Sequence, residues 1–154
     1  MNAQEFVDEL TAANQALLER LDPSDTLETD ALGNLDILNL LKIALKNELE
    51  ATEIAARWLC SADNLDVKLA LARQVGDEAK HYRLIQDRLG ELGAPAAGFD
   101  PLASGYSPLF NFLDSLTDTV ERVAAGQFTR EAIAVVKNQQ FIDLCEAKGD
   151  TKTA

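Results

Sequence analysis

Hydrophobic residues recur at three- and four-residue intervals along most of this chain, which is the pattern of helices that bury one face. Two successive stripes of this kind predict helices over residues 35–62 and 64–93. Asp63 or Asn64 lies at the turn between them and would cap the second helix, which Gly93 would end. Because the connection is so short, we expect the two helices to pack side by side in opposite directions.

Weaker stripes on either side of this pair predict further helices. Residues 3–21 carry one apolar face, and Ser107 followed by a proline opens another helix that runs to a candidate kink or break at Gly126. A last stripe covers residues 128–149. Residues 94–107 hold two prolines and two glycines, so we expect an irregular crossover there rather than a helix.

The composition agrees with a helical protein. The 154 residues allow one domain with a genuine core, and 47% of them are hydrophobic whereas 6% are aromatic. Only 8 glycines and 4 prolines are present, which argues against a sandwich or barrel rich in turns. We therefore expect an all-α fold in a single domain over residues 1–154. Residues 1–33 would form an N-terminal helix and acidic linker, and residues 94–107 the crossover loop.

Charged residues interrupt the apolar faces of the two central helices. At about 100° per residue, Glu48 projects into the middle of the first face, whereas Glu50 and Glu53 fall on its polar side. The sequence therefore predicts that Glu48 alone among these neighbours is buried. Glu78 and His81 lie within the second face and are three residues apart, so their side chains are neighbours.

Glu48 and Glu78 should lie level with each other across the helix pair. They stand at equal distances in sequence before and after Asp63, which places both roughly 22 Å from the turn at about 1.5 Å per residue. Burying ionised carboxylates without a counter-charge is costly, and no lysine or arginine shares this predicted face. A divalent metal ion would neutralise them, and oxygen and nitrogen ligands suit iron or manganese.

This arrangement resembles the ferritin-like superfamily, which includes bacterioferritins, rubrerythrins and related oxygen-using di-iron proteins. The resemblance rests on Glu48-x-x-Ala51, on the run from Asp77 to His81, and on the thirty residues between Glu48 and Glu78. It covers residues 35–93 well and the rest loosely. It implies an antiparallel helical bundle, here with an extra N-terminal helix, whose centre holds two iron ions or manganese.

The resemblance also implies roles for the residues. Glu48 and His81 would each bind one metal ion terminally, Glu78 would bridge, and Glu131, which begins a second Glu-x-x-Ala segment, would be the second-half counterpart of Glu48. The implied chemistry is oxidation of ferrous iron with oxygen or peroxide as acceptor, so the chain would be a ferroxidase or another di-iron oxidoreductase.

The second half lacks a matching Glu-x-x-His. By analogy with the first half it would begin near position 161, roughly thirty residues after Glu131, and His81 is the single histidine of the chain. Either a last helix is missing or two chains complete one site, and the second option predicts a homodimer. Two alternatives stay open: a metal-free interaction or structural protein on a ferritin-like scaffold, and a helical protein in which Glu48 and His81 form a buried charge pair.

The charge and the cysteine content limit the partners and the compartment that we expect for this chain. Fourteen basic against 26 acidic residues give a net charge of −12, which argues against nucleic acid or an anionic membrane as the main partner. Cys60 and Cys145 form no close pair, so no disulfide scaffold is expected. The sequence contains no recognisable secretory signal or transmembrane stretch, and we expect a reducing cytoplasm.

Overall fold

Helices account for all the regular secondary structure that the structure describes, which confirms the all-α class. This structure is a computed structural model and describes residues 1–20, 27–29, 31–94 and 98–154. The chain forms two compact units, one made of Met1–Leu35 with Thr117–Ala154 and the other of Asp36–Leu116. The single domain expected over residues 1–154 stays a prediction.

The second unit is built on a pair of long helices that matches the two clearest stripes. If Ala3–Leu18 is α1, these are α2, Ile37–Ser61, and α3, Leu65–Glu91. Asp36 caps α2 by accepting from the N–H of Asn39, and Asn64 caps α3 by accepting from the N–H of Val67. Because residues 62–64 join helices that pack along each other, the pair is antiparallel.

A third helix, α4, Pro108–Ser115, packs on α2 and closes the core of this unit. Ser107 caps it and Pro108 occupies its first position, as the sequence predicts. Leu45 and Leu89 are fully buried, and burial of each such side chain stabilises the fold by about 1.5–3 kcal/mol. Within the predicted crossover, the described residues 98–107 contain no helix, while residues 95–97 lie outside the described part.

The predicted continuous helix from Ser107 to Gly126 is wrong. The helix ends at Ser115, and Asp118 starts a new one by accepting from the N–H groups of Val120 and Glu121, at 2.8 and 3.1 Å. The backbone cannot continue a helix through a residue whose side chain caps the next one. The break therefore lies before Gly126, not at it.

The other unit contains an unusual stretch of helix. Short α5, Thr119–Arg122, runs into a π-helical segment, Val123–Arg130, and then into α6, Glu131–Ala147. Gly126 lies inside the π-helical segment. π-Helical turns are rare and usually single, so a segment of this length has no counterpart in the apolar periodicity.

The N-terminal helix of the same unit packs on this stretch. Asn14 of α1 is buried, and its Oδ1 accepts from the Thr129 hydroxyl at 3.0 Å. The first helix ends at Leu18 rather than at the predicted residue 21, and residues 21–26 of the predicted acidic linker lie outside the described part. Among the described residues, none of the helices has the length and apolar character required to cross a bilayer.

Candidate metal centre

Three side chains predicted from the sequence converge on one point between α2 and α3. Glu48 comes from α2, and Glu78 and His81 come from successive turns of α3. One ligand atom from each residue lies within 4.8 Å of the others. The structure thus brings together the carboxylate of one helix and the Glu-x-x-His pair of its neighbour.

The distances within this group suit a coordination sphere. Nδ1 of His81 lies 3.2 Å from Oε2 of Glu78 and 3.4 Å from Oε2 of Glu48. Ligand atoms that bind one first-row transition metal at about 2.0–2.2 Å are separated from each other by roughly 3–3.5 Å in octahedral or tetrahedral geometry. These three atoms could therefore close on a single ion with small adjustments of their side chains.

Exposure of the group is graded from one side to the other. The side chain of Glu78 is 11% exposed and that of Glu48 is 23% exposed, whereas that of His81 is 52% exposed. Oε2 of Glu48 is itself buried. The imidazole therefore forms the rim of the group, and an ion would reach the two carboxylates from the side of His81.

The two carboxylates and the imidazole lie close enough to interact electrostatically. Two carboxylates direct an oxygen each at the same imidazole nitrogen, and that nitrogen carries at most one proton. Repulsion between the carboxylates is strengthened by their partial burial. Either the proton of a charged His81 or a metal ion would relieve it.

A fourth residue, Gln74, contacts this group and was missed in the sequence analysis. Its Nε2 donates to Oε1 of Glu78 at 3.3 Å, so it holds the carboxylate oxygen that does not face His81. Gln74 lies four residues before Glu78 on the same helix, a spacing at which side chains meet. That spacing was the available signal, although glutamine on a half-buried face is common without any such role.

Glu50 departs from the prediction and is the most buried of the three neighbouring glutamates. Glu50 is 7% exposed as a residue, whereas the sequence placed it on the polar side. Its carboxylate accepts from the N–H of Ser107 at 2.7 Å and from the hydroxyl of Ser107 at 2.6 Å, and Lys46 lies 3.8 Å away. The prediction that Glu48 alone among these neighbours is buried is wrong: Glu48 is half-buried, and Glu50 is buried because the N-terminus of α4 covers this side of α2.

Glu53 belongs to a neighbouring polar cluster. It accepts a short hydrogen bond from the Tyr106 hydroxyl, and this bond raises the pKa of Tyr106, with smaller contributions from burial and from the negative charge of Glu53. Arg57 lies over the rings of Tyr106 and Phe110, at 5.1 and 4.9 Å from their centroids, and pairs with Asp114 at 2.6 Å. These contacts fasten α4 and the preceding loop to α2.

Glu131, the fourth predicted ligand, lies in the other unit. It begins α6, and its Oε1 is 3.5 Å from Nη1 of Arg130. The group formed by Glu48, Glu78 and His81 does not include it. Its role as the second-half counterpart of Glu48 stays a prediction.

Comparisons with known proteins identify no relative whose site could be set beside this one. No protein family, no curated protein and no solved structure gives a match to this chain.

Proposed function

We propose that this protein binds iron or manganese through Glu48, Glu78 and His81. The observation that carries the proposal is the convergence of Nδ1 of His81 with one oxygen from each glutamate, at separations that suit ligands of one ion. Two carboxylates and an imidazole form a hard-to-borderline ligand set typical of iron and manganese sites. The proposal agrees with the resemblance to di-metal carboxylate bundles.

Two copies of the chain would complete a two-metal centre. A di-metal carboxylate bundle uses four carboxylates and two histidines. A two-fold axis would supply this number from two copies of Glu48, Glu78 and His81, with one ion for each chain. The partner proposed here is therefore a second copy of the same chain, and the active form a homodimer.

The reaction proposed for this centre is oxidation of ferrous iron. Each ferrous ion gives up one electron, and two electrons with two protons reduce oxygen to hydrogen peroxide, or hydrogen peroxide to water. Iron would then be the substrate, and the role of Glu48, Glu78 and His81 would be to hold two ferrous ions close enough to react with one acceptor molecule.

A metal-free role is the second candidate, and the exposure of His81 favours it. A protonated imidazole that is about half exposed could share its charge between Glu48 and Glu78 at the observed distances. The group would then be an ion-pair cluster between two helices of a structural or interaction protein. Such a cluster contributes little to stability when one partner is well exposed.

Metal analysis separates these two candidates. The protein is purified without chelator and without a histidine tag, and its iron and manganese contents are measured before and after incubation with ferrous or manganous ion. The metal proposal expects about one ion per chain, and expects His81→Ala to lose it. Asp87→Asn, which alters an exposed carboxylate of the same helix, is the control and should retain the metal. Absence of binding by the unaltered chain would favour the metal-free role.

Sedimentation equilibrium tests the two-chain centre. At low micromolar concentration we expect a dimer that carries two ions, and we expect His81→Ala to remove both together. A monodisperse monomer that binds two ferrous ions would contradict the two-chain proposal, because it would require ligands from elsewhere in a single chain.

A further inference from the structure

The two oxygens of Glu78 have different partners. Oε2 faces Nδ1 of His81 at 3.2 Å, whereas Oε1 accepts from Nε2 of Gln74 at 3.3 Å. Gln74 and His81 thus approach the same carboxylate from positions four residues before it and three residues after it on α3. The carboxylate is fixed at both oxygens.

The burial of Glu78 makes it difficult for water to replace the hydrogen bond from Gln74. The side chain of Glu78 is only 11% exposed, so little water is available to replace the amide at Oε1. An amide nitrogen can donate a hydrogen bond but cannot bind a metal ion as a ligand in its neutral form. The Nε2 group of Gln74 therefore satisfies Oε1 without itself competing for the ion.

We propose that Gln74 is a positioning residue that makes Glu78 a one-oxygen ligand. The inference rests on the metal function proposed above and assigns a further residue to the same site. Each chain would then offer one ion three atoms: Oε2 of Glu48, Oε2 of Glu78 and Nδ1 of His81. The bond from Gln74 takes up one lone-pair direction of Oε1 and holds Glu78 with Oε2 toward His81, so a second ion at Oε1 would have to share that oxygen with Gln74.

Cobaltous ion is a suitable probe, because its visible absorption reports the number and geometry of its ligands. Gln74→Met keeps the length of the side chain and removes the amide donor, and Gln74→Ala is a second variant with high helix propensity. Gln86→Met is the matched control: Gln86 is also half-buried on α3, and its Oε1 accepts from Arg83 rather than contacting Glu78.

We expect Gln74→Met and Gln74→Ala to bind cobaltous ion about 10-fold more weakly, which is the usual effect of removing a hydrogen-bond partner from a metal ligand. At saturating cobaltous ion their visible spectra should differ from that of the unaltered protein, since Oε1 becomes available to the ion. Gln86→Met should match the unaltered protein in both affinity and spectrum. Thermal melts without metal check that all three variants fold.

Three outcomes would overturn the inference. If both Gln74 variants bind cobaltous ion with unchanged affinity and spectrum, Gln74 only packs against Glu78. If they lose thermal stability but show the unaltered spectrum at saturation, its role is structural. If the unaltered protein binds no cobaltous ion, the proposed metal function fails together with the role of Gln74. The first two outcomes differ from this one because in both of them the unaltered protein binds the ion.

Discussion

Two carboxylates on α2, only two residues apart in sequence, have opposite surroundings. Glu50 meets donors: the N–H and hydroxyl of Ser107, with Lys46 nearby. Glu48 meets a second carboxylate, that of Glu78, and the single imidazole of His81. Both glutamates are largely removed from water, with side-chain exposures of 9% for Glu50 and 23% for Glu48.

This difference shows that burial alone does not identify a ligand. Glu50 is satisfied by its own chain, and its negative charge lies at the N-terminus of α4, where the helix dipole favours an anion. It therefore stabilises the packing of α4 on α2. The group around Glu48 brings two carboxylates and one imidazole within 4.8 Å of one another, and such a ligand set is the property expected of a cation site.

The largest expected effect is on metal binding and follows from replacing Glu48 or Glu78 by the neutral glutamine. Glu48→Gln or Glu78→Gln should weaken manganous ion binding by more than about 100-fold, since each removes a ligand rather than a partner of a ligand. The unaltered protein should gain about 2.7 kcal/mol when manganous ion is present at 100 times its dissociation constant. The variants should lose this gain, and should melt higher than the unaltered protein without metal because a carboxylate repulsion is removed.

Thermal melts with and without manganous ion measure both effects, and Asp87→Asn again provides the control. A variant that still gains stability from the ion would show that its glutamate is not a ligand. A metal-free variant that melts lower than the unaltered protein would show that the proton of His81 already compensates the two carboxylates.

The next largest effect is on the free energy of unfolding rather than on metal binding. Glu50→Gln should lower the free energy of unfolding by about 2 kcal/mol, because it removes the charge from two hydrogen bonds with Ser107 and ends the ion pair with Lys46, which keeps its hydrogen bond to the Gly105 carbonyl. Urea unfolding measures this loss. Manganous ion should bind the folded variant as it binds the unaltered protein. A loss of metal equal to that in Glu48→Gln would remove the distinction between the two groups.

Glu50 also shows where sequence reasoning reaches its limit. Glu48, Glu78 and His81 could be placed together because helical periodicity and one short turn fix their positions. The partner of Glu50 is Ser107, a residue 57 positions away. No local sequence pattern shows which element will cover a given helix face. Glu50 lies on the polar side of the α2 stripe, but the N-terminus of α4 covers that side and buries its carboxylate.

The break in the second half was missed for a different reason. Asp118 followed three residues later by Glu121 is a recognisable helix start, but the apolar stripe continues across it and favoured one long helix. The π-helical segment that follows, Val123–Arg130, changes the number of residues per turn. A periodicity analysis that assumes 3.6 residues per turn has no means of finding it.

A smaller effect is expected from the cluster that fastens α4. Arg57→Met should lower the free energy of unfolding by about 1 kcal/mol, since the pair with Asp114 is well exposed and the stacking on Tyr106 and Phe110 adds a modest term. Arg57→Lys keeps the charge but not the planar stacking, so urea unfolding should show that it recovers only part of the loss. Full recovery by lysine would mean that charge alone matters here.

The smallest effect concerns the Tyr106–Glu53 hydrogen bond and appears only at high pH. The hydrogen bond to Glu53 raises the pKa of Tyr106 above its unfolded value of 10.0, so the folded state binds this proton more tightly. The stabilisation is therefore complete below pH 10.0 and is lost as the pH rises through the folded pKa. Tyr106→Phe should be less stable than the unaltered protein near neutral pH, and this difference should shrink above pH 10.0.

Urea unfolding near neutral pH and above pH 10.0 tests this prediction, with Tyr82→Phe as the control for general alkaline destabilisation. A difference that stays constant with pH would show that the hydroxyl of Tyr106 contributes through packing and not through its proton.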